Sequence, residues 1–166
     1  MHLLRPDHAP ALLAFERENR AWFAASVPDR GDDFFARFDE MLRARPAERE
    51  AGLSYFHVLT ARGGEVLGRA NLVDVGAGVA DLGYRSAERA AGRGLATRAV
   101  RELCGLAART CGLTALRAAA TLDNVSSRAV LTRTGFVRTG FVRTGFVRTG
   151  ETRLDGRPGL TYLRAL

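Results

Sequence analysis

Three residue types never occur in this chain: lysine, isoleucine and glutamine. All 25 basic residues are therefore arginine, and the joint loss of lysine and isoleucine fits the codon pressure of GC-rich coding better than it fits a nucleic-acid surface. Histidine is confined to His2, His8 and His57, and cysteine to Cys104 and Cys111, so no cluster with metal-ligand spacing exists and no metal is expected. The two thiols are expected in one helix, about 10 Å apart along its axis, too far to bridge. Uncharged runs such as Val75–Ala80 fall far short of the ~20 apolar residues of a membrane span. The start, Met1 to Asp7, lacks the ordered regions of a secretory signal, so no membrane is expected as a partner and the cytoplasm is the default location.

The 166 residues, 46% hydrophobic and 26% charged, suit a single domain spanning 1–166. The net charge of +7 is unevenly spread. Residues 1–83 carry 10 Arg against 13 acids, and residues 84–166 carry 15 Arg against 5 acids, which points an anionic ligand to the second half. His2–Arg5 reads as a short strand. Apolar spacing predicts helices over Ala11–Ala25 and from Phe34 to a stop before Pro46. Strands Phe56–Ala61, Glu65–Val75 and Val79–Arg85, separated by Gly63-Gly64 and Gly76-Ala77-Gly78, read as an antiparallel meander. Leu95–Arg109 is a strongly amphipathic helix closed by Gly112; Leu113–Thr121 is a strand, and Asn124 caps a helix running to about Arg133, closed by Gly135.

Thr134–Arg148 holds three identical copies of Thr-Gly-Phe-Val-Arg. Five residues is too short a period for a solenoid, so the reading is a tandem duplication that lengthens a hairpin near the terminus. Side chains alternate faces along a strand, so one extra copy inverts the face and two restore it; Phe141 would then point opposite to Phe136 in a continuous strand.

Chemistry concentrates in Leu82-Gly83-Tyr84 and in Ala91-Gly92-Arg93-Gly94-Leu95-Ala96-Thr97, which opens the best helix. A glycine-rich turn there leaves backbone N–H groups free at the positive end of the helix dipole, a seat for a pyrophosphate, although the segment is neither a P-loop nor the dinucleotide fingerprint. An ordinary strand-to-helix turn accounts for the same residues. Together with Asn124-x-x-Ser127-x-x-Val130-Leu131-x-Arg133-x-Gly135-Phe136, with Ala11–Arg20 and with Val66–Leu72, this loop resembles the Gcn5-related N-acetyltransferases (GNAT), in their RimJ/RimL-type branch, which acetylates ribosomal-protein N-termini and small molecules.

That resemblance implies the GNAT fold: an α/β domain with a mixed, mostly antiparallel twisted sheet, helices on both faces, and a V-shaped cofactor cleft between two central strands, Val79–Arg85 and Leu113–Thr121. It implies acetyl-CoA as cosubstrate, its pyrophosphate on Ala91, Gly92, Arg93, Gly94, Leu95 and Ala96, its pantetheine along Leu82, Gly83 and Tyr84, and Asn124 and Ser127 beside the cofactor arm. A main-chain N–H of that strand would polarise the thioester carbonyl. The expected partners are acetyl-CoA and an amine acceptor, a protein N-terminus or a small molecule; no nucleic acid is expected, and a homodimer stays open.

Two positions depart from the family. Ala91 stands where Gln or Arg is common, leaving Arg89 or Arg93 to reach a phosphate, and Leu131 stands where many relatives carry a tyrosine general acid. The thiol is already a tolerable leaving group, with a pKa of about 8.5–9. Asp81 is the leading candidate for a catalytic carboxylate beside Asn124, with Glu16 and Glu18 as further candidates for the base. Trp22, Phe15 and Phe23 are read as core rather than acceptor pocket. The expected activity is acetyl transfer to a primary amine by direct attack in a ternary complex; a non-catalytic acyl-CoA-binding or regulatory domain is the alternative.

Overall fold

The computed structural model describes residues 1–142 and 157–166, the side chains of 141 and 142 excepted. In chain order the elements are β1 (His2–Leu3), α1 (Ala9–Glu18), α2 (Arg20–Ala24), α3 (Gly31–Ala36), α4 (Phe38–Glu50), β2 (Tyr55–Thr60), β3 (Val66–Gly76), β4 (Val79–Ser86), α5 (Leu95–Arg109), β5 (Ala115–Thr121), α6 (Val125–Arg133), β6 (Val137–Val142) and β7 (Gly159–Ala165). The strands form one sheet in the order β1-β2-β3-β4-β5-β7-β6, antiparallel except where β4 runs parallel to β5. No helix among the described residues is long and apolar enough to cross a membrane.

Two hydrophobic clusters sandwich the sheet. On one face Ala99, Val100, Leu103, Cys104 and Ala107 of α5 and Leu131 of α6 pack on Ala70, Leu72, Ala80 and Leu82. On the other, Leu12, Phe15, Phe23 and Phe38 close over Val58 and Val66.

The first expected helix is broken in two at Asn19. Its side chain donates to the Phe15 carbonyl (2.9 Å) and accepts from the Glu88 N–H (2.9 Å), bonds that compete with helix continuation and tie α1 to the loop after β4. The second helix does not stop before Pro46. It breaks at Arg37 instead, and α4 runs through Pro46, whose fixed φ suits a helix; beyond it Glu48 is anchored by Arg45 (2.7 Å) and by the Ser54 hydroxyl (2.6 Å). Cys111 lies past the end of α5, in the turn before Gly112, so the thiols do not share a helix; both are free.

The repeat enters β6 with a bulge, so the face inversion expected for a continuous strand does not arise at Phe141. Arg138 opposes Tyr162 and Phe141 opposes Leu160, with the register slipping between Arg138 and Gly140. A bulge at Thr139 therefore absorbs the odd residue, so register positions 138 and 141 oppose the same face of β7 and the strand is not continuous in the sense assumed. The third copy, and Arg143 of the second, lie outside the described residues.

Candidate active site

Pairing between β4 and β5 covers only Val79–Asp81 against Ala115–Arg117, although β4 continues to Ser86 and β5 to Thr121. Beyond Asp81 the strands part, and a cavity of about 310 Å³ opens at the split. Its wall combines the end of β4, the turn into α5, the first turns of α6, and Trp22 and Phe23 of α2.

The turn into α5 is built for an anion. Gly92 (φ +72°) and Gly94 (φ +75°) are left-handed, and nothing lies within 4 Å of where a Cβ would stand at either. The first bonded N–H of the helix is that of Arg98, to the Gly94 carbonyl; those of Leu95, Ala96 and Thr97 find no acceptor among the described residues. Three donors at the positive helix end beside an open cradle are what a phosphate requires. Arg133, at the end of α6, lines the same cavity.

Across the split, Asn124 Oδ1 accepts from the Ser127 N–H and the Ser126 hydroxyl, each at 3.0 Å, and so fixes the first turn of α6. The Tyr84 hydroxyl reaches over to α6, donating to the Ser127 carbonyl (3.2 Å) and sharing a 2.8 Å bond with Ser127 Oγ. Burial pushes the Tyr84 phenol up to about 12, so it stays protonated.

Of the residues singled out from sequence, Tyr84, Ala91, Gly92, Gly94, Leu95, Ala96, Asn124 and Ser127 line the cavity. Leu82 turns into the core, Gly83 faces open space, and Arg93 is absent from the wall. Arg89 pairs instead with Glu65 of the β2–β3 hairpin at 2.6 Å. Asp81 sits at the last paired rung and binds Arg117 at 2.6 Å, away from the cavity; burial raises its carboxyl against the pull of that arginine. Glu16 is 3% exposed and clamped between Arg69 (2.8 Å) and Arg85 (3.5 Å), which suits a structural anion and not a base. Glu18 is exposed on α1. Leu131 is fully buried, so that position faces the core.

Trp22 is not core. It is 41% exposed on the cavity rim, with its indole N–H donating to the Ser86 carbonyl (3.2 Å), while Phe15 is core and Phe23 is both buried and part of the wall. Arg85 and Ser86 were also missed, and Thr97 and Arg133, though quoted in the motifs, were not assigned to the site. Thr97 owns the third free N–H of a helix whose start was legible, and Arg85 and Ser86 merely continue a strand already placed.

The sequence profile of the acetyltransferase (GNAT) domain matches residues 1–137. The chain belongs to the GNAT acetyltransferase family. Solved structures share its fold across nearly the whole length. The ribosomal-protein-S5-alanine acetyltransferase of Vibrio fischeri is 19% identical with a TM-score of 0.88, over 99% of this chain and 91% of that one. RimJ of Mycobacterium smegmatis, in complex with CoA-disulfide, is 24% identical with a TM-score of 0.83, over 98% and 79%. The microcin C7 self-immunity acetyltransferase MccE, in complex with acetyl-CoA and AMP, is 16% identical with a TM-score of 0.82, over 99% and 91%. No curated protein matches the chain. As a member of this family the chain is an acetyl-CoA-dependent acetyltransferase, and the open glycine cradle under three free N–H groups fits that cosubstrate.

Proposed function

We propose that this GNAT domain moves the acetyl group of acetyl-CoA to a primary amine, a protein N-terminus or a small molecule, by direct attack within a ternary complex. The observation that carries the reading is the convergence, in one cavity, of the α5 cradle, the split edge of β4 and the Asn124–Ser127 turn. Acetyl-CoA supplies the activated thioester. The α5 N–H groups and Arg133 hold its phosphates, and the freed edge of β4 offers main-chain groups to its amide arm and carbonyl.

The nitrogen–carbon bond forms as the carbon–sulfur bond breaks, leaving one proton to remove from the amine and a thiolate to stabilise. The Tyr84 proton goes to the Ser127 carbonyl, so the Ser127 hydroxyl, held against Tyr84 and able to turn its proton toward the sulfur, is the donor available at the cleft. Tyr84, at about 12, is a weaker acid than a thiol of about 8.5–9, so this pair stabilises the departing sulfur by hydrogen bonding rather than by handing over a proton. No carboxylate lines the cavity among the described residues, so water carries the amine proton away.

The relatives named for ribosomal-protein alanine and for spermidine acetylation mark protein N-termini and small amines as the acceptor classes to screen. Two free thiols fit a cytoplasmic location. Calorimetric CoA binding measured beside turnover on a panel of amines tests the proposal: acetylated product supports it, and tight CoA binding with no product from any amine favours the non-catalytic alternative. Light scattering on the same preparation decides between monomer and homodimer.

A further inference from the structure

Among the described residues the charged side chains on the cavity wall, Arg85 and Arg133, are both cationic. Arg133 stands on the α6 side; Arg85 stands on the α2 side, where it also lines a second, small cavity of about 10 Å³ whose other charged walls are Glu16, Arg20, Asp29 and Arg30. Arg85 is thus a shared wall between the cleft and an adjoining niche with room for roughly one water-sized group.

The charges around Arg85 do not balance. Arg69 and Arg85 are cross-strand neighbours in the β3–β4 register, and like charges so placed repel. One carboxylate, Glu16, serves both, and it sits closer to Arg69. Arg20 is met by Asp29 and Asp32, and Arg45 by Glu48. Arg30 stacks over Phe34 at 4.5 Å and has no carboxylate partner among the described residues. Of the five N–H donors of Arg85, one makes a single long bond, at 3.5 Å, while the planar guanidinium is braced 5.0 Å over the Phe23 ring. The side chain is 17% exposed and lines both cavities, and its other donors have no partner among the described residues.

The geometry points to Arg85, with Arg30 behind it, as the recognition point for an anionic group on the acceptor, so that this enzyme selects amines carrying a carboxylate or phosphate close to the attacking nitrogen and rejects polyamines. A planar fork with free donors beside a braced aromatic ring is suited to an oxyanion, and a wall with no carboxylate among its described residues offers a second ammonium no partner there. The inference rests on the acetyl-transfer reading for the location of the acceptor.

The test uses the tripeptide amides Ala-Asn-Ala, Ala-Asp-Ala and Ala-phosphoserine-Ala, together with spermidine, on the full chain. Initial rates are read with saturating acetyl-CoA, and calorimetric affinities with saturating CoA. The expected result is roughly tenfold lower KM and Kd for at least one anionic peptide than for the Asn peptide, with spermidine weakest. A larger gain for the Asp peptide assigns the site to carboxylates, and a larger gain for the phosphoserine peptide assigns it to phosphates. In Arg85→Gln the ratio between anionic and neutral peptides collapses toward one, and Arg85→Lys restores part of it. Equal affinities of the parent for all three peptides, or tighter spermidine, overturn the inference whatever the variants do. Preferential binding without turnover upholds the anion site and counts against the acetyl-transfer reading instead.

Discussion

Substituting Asn124 separates a structural role from a chemical one. In Asn124→Ala the acceptor for the Ser127 N–H and the Ser126 hydroxyl disappears, which costs α6 its cap, about 1 kcal/mol. For a domain of this size that is a fall in Tm of about 2–4 °C per kcal/mol. Ser127, no longer held, loses its fixed approach to Tyr84, so kcat/KM per folded molecule should fall about tenfold, the equivalent of ~1.4 kcal/mol in the transition state. Asn124→Asp keeps the accepting oxygen and places a negative charge at the positive end of α6, so stability should hold or rise. The same charge on the wall of the cavity proposed to hold the phosphates should still depress turnover. Urea melts and single-turnover rates on the three proteins give the comparison. Parental turnover in Asn124→Asp would reduce Asn124 to a cap, and an unchanged midpoint in Asn124→Ala would remove even that.

Gly94→Val forces a β-branched residue to φ +75° and fills the open cradle, so the KM for acetyl-CoA should rise severalfold; unchanged cofactor affinity would take this turn out of the site. Glu16→Gln leaves two half-buried arginines facing each other across β3 and β4 with no counter-charge, and urea melts should show a loss of about 3–5 kcal/mol. Burial pushes the His57 imidazole below its ordinary value of about 6.5, so the unfolded chain takes up protons first and stability should fall as pH drops below that value; His57→Leu should flatten this part of the profile in melts between pH 5 and 7. Because the repeat copies are identical, deleting any one leaves Thr134–Arg143 as they stand, whereas deleting two puts Glu and Thr at positions 141 and 142, which pair with Leu160 and Gly159. The five-residue deletion should melt near the parent and the ten-residue deletion lower, the reverse of the parity expectation, and thermal melts in the opposite order would restore that expectation.

Where periodicity and capping agreed, the sequence was sufficient: Leu95–Arg109 matches α5 to the residue, and Asn124 caps α6. Where a single side chain decides, it was not. Asn19 splits a helix by bonding to Glu88, 69 residues away, and no local pattern announces that. The open glycine turn at the start of α5 was readable because free N–H groups and positive φ are local properties of Gly-rich helix starts. The polar roles were not, because they depend on pairing: Asp81 and Arg89 each found a partner elsewhere, and Glu16 was claimed by two arginines. Trp22 was misplaced for a similar reason, since helical spacing cannot distinguish a core face from a cavity rim.

The parting of β4 and β5 has a consequence for solubility. An edge strand normally belongs to the outside of a sheet, where its unpaired N–H and C=O groups invite another chain to add on. Here two such edges, β4 beyond Asp81 and β5 beyond Arg117, lie inside a seven-stranded sheet, with α6 and the α5 turn standing over the gap. The domain thus keeps a strand-like docking surface without offering it to its neighbours. A ligand that fills the gap completes a ladder the chain alone leaves open, so amide hydrogen exchange along residues 82–86 should slow more than anywhere else in the sheet when CoA binds.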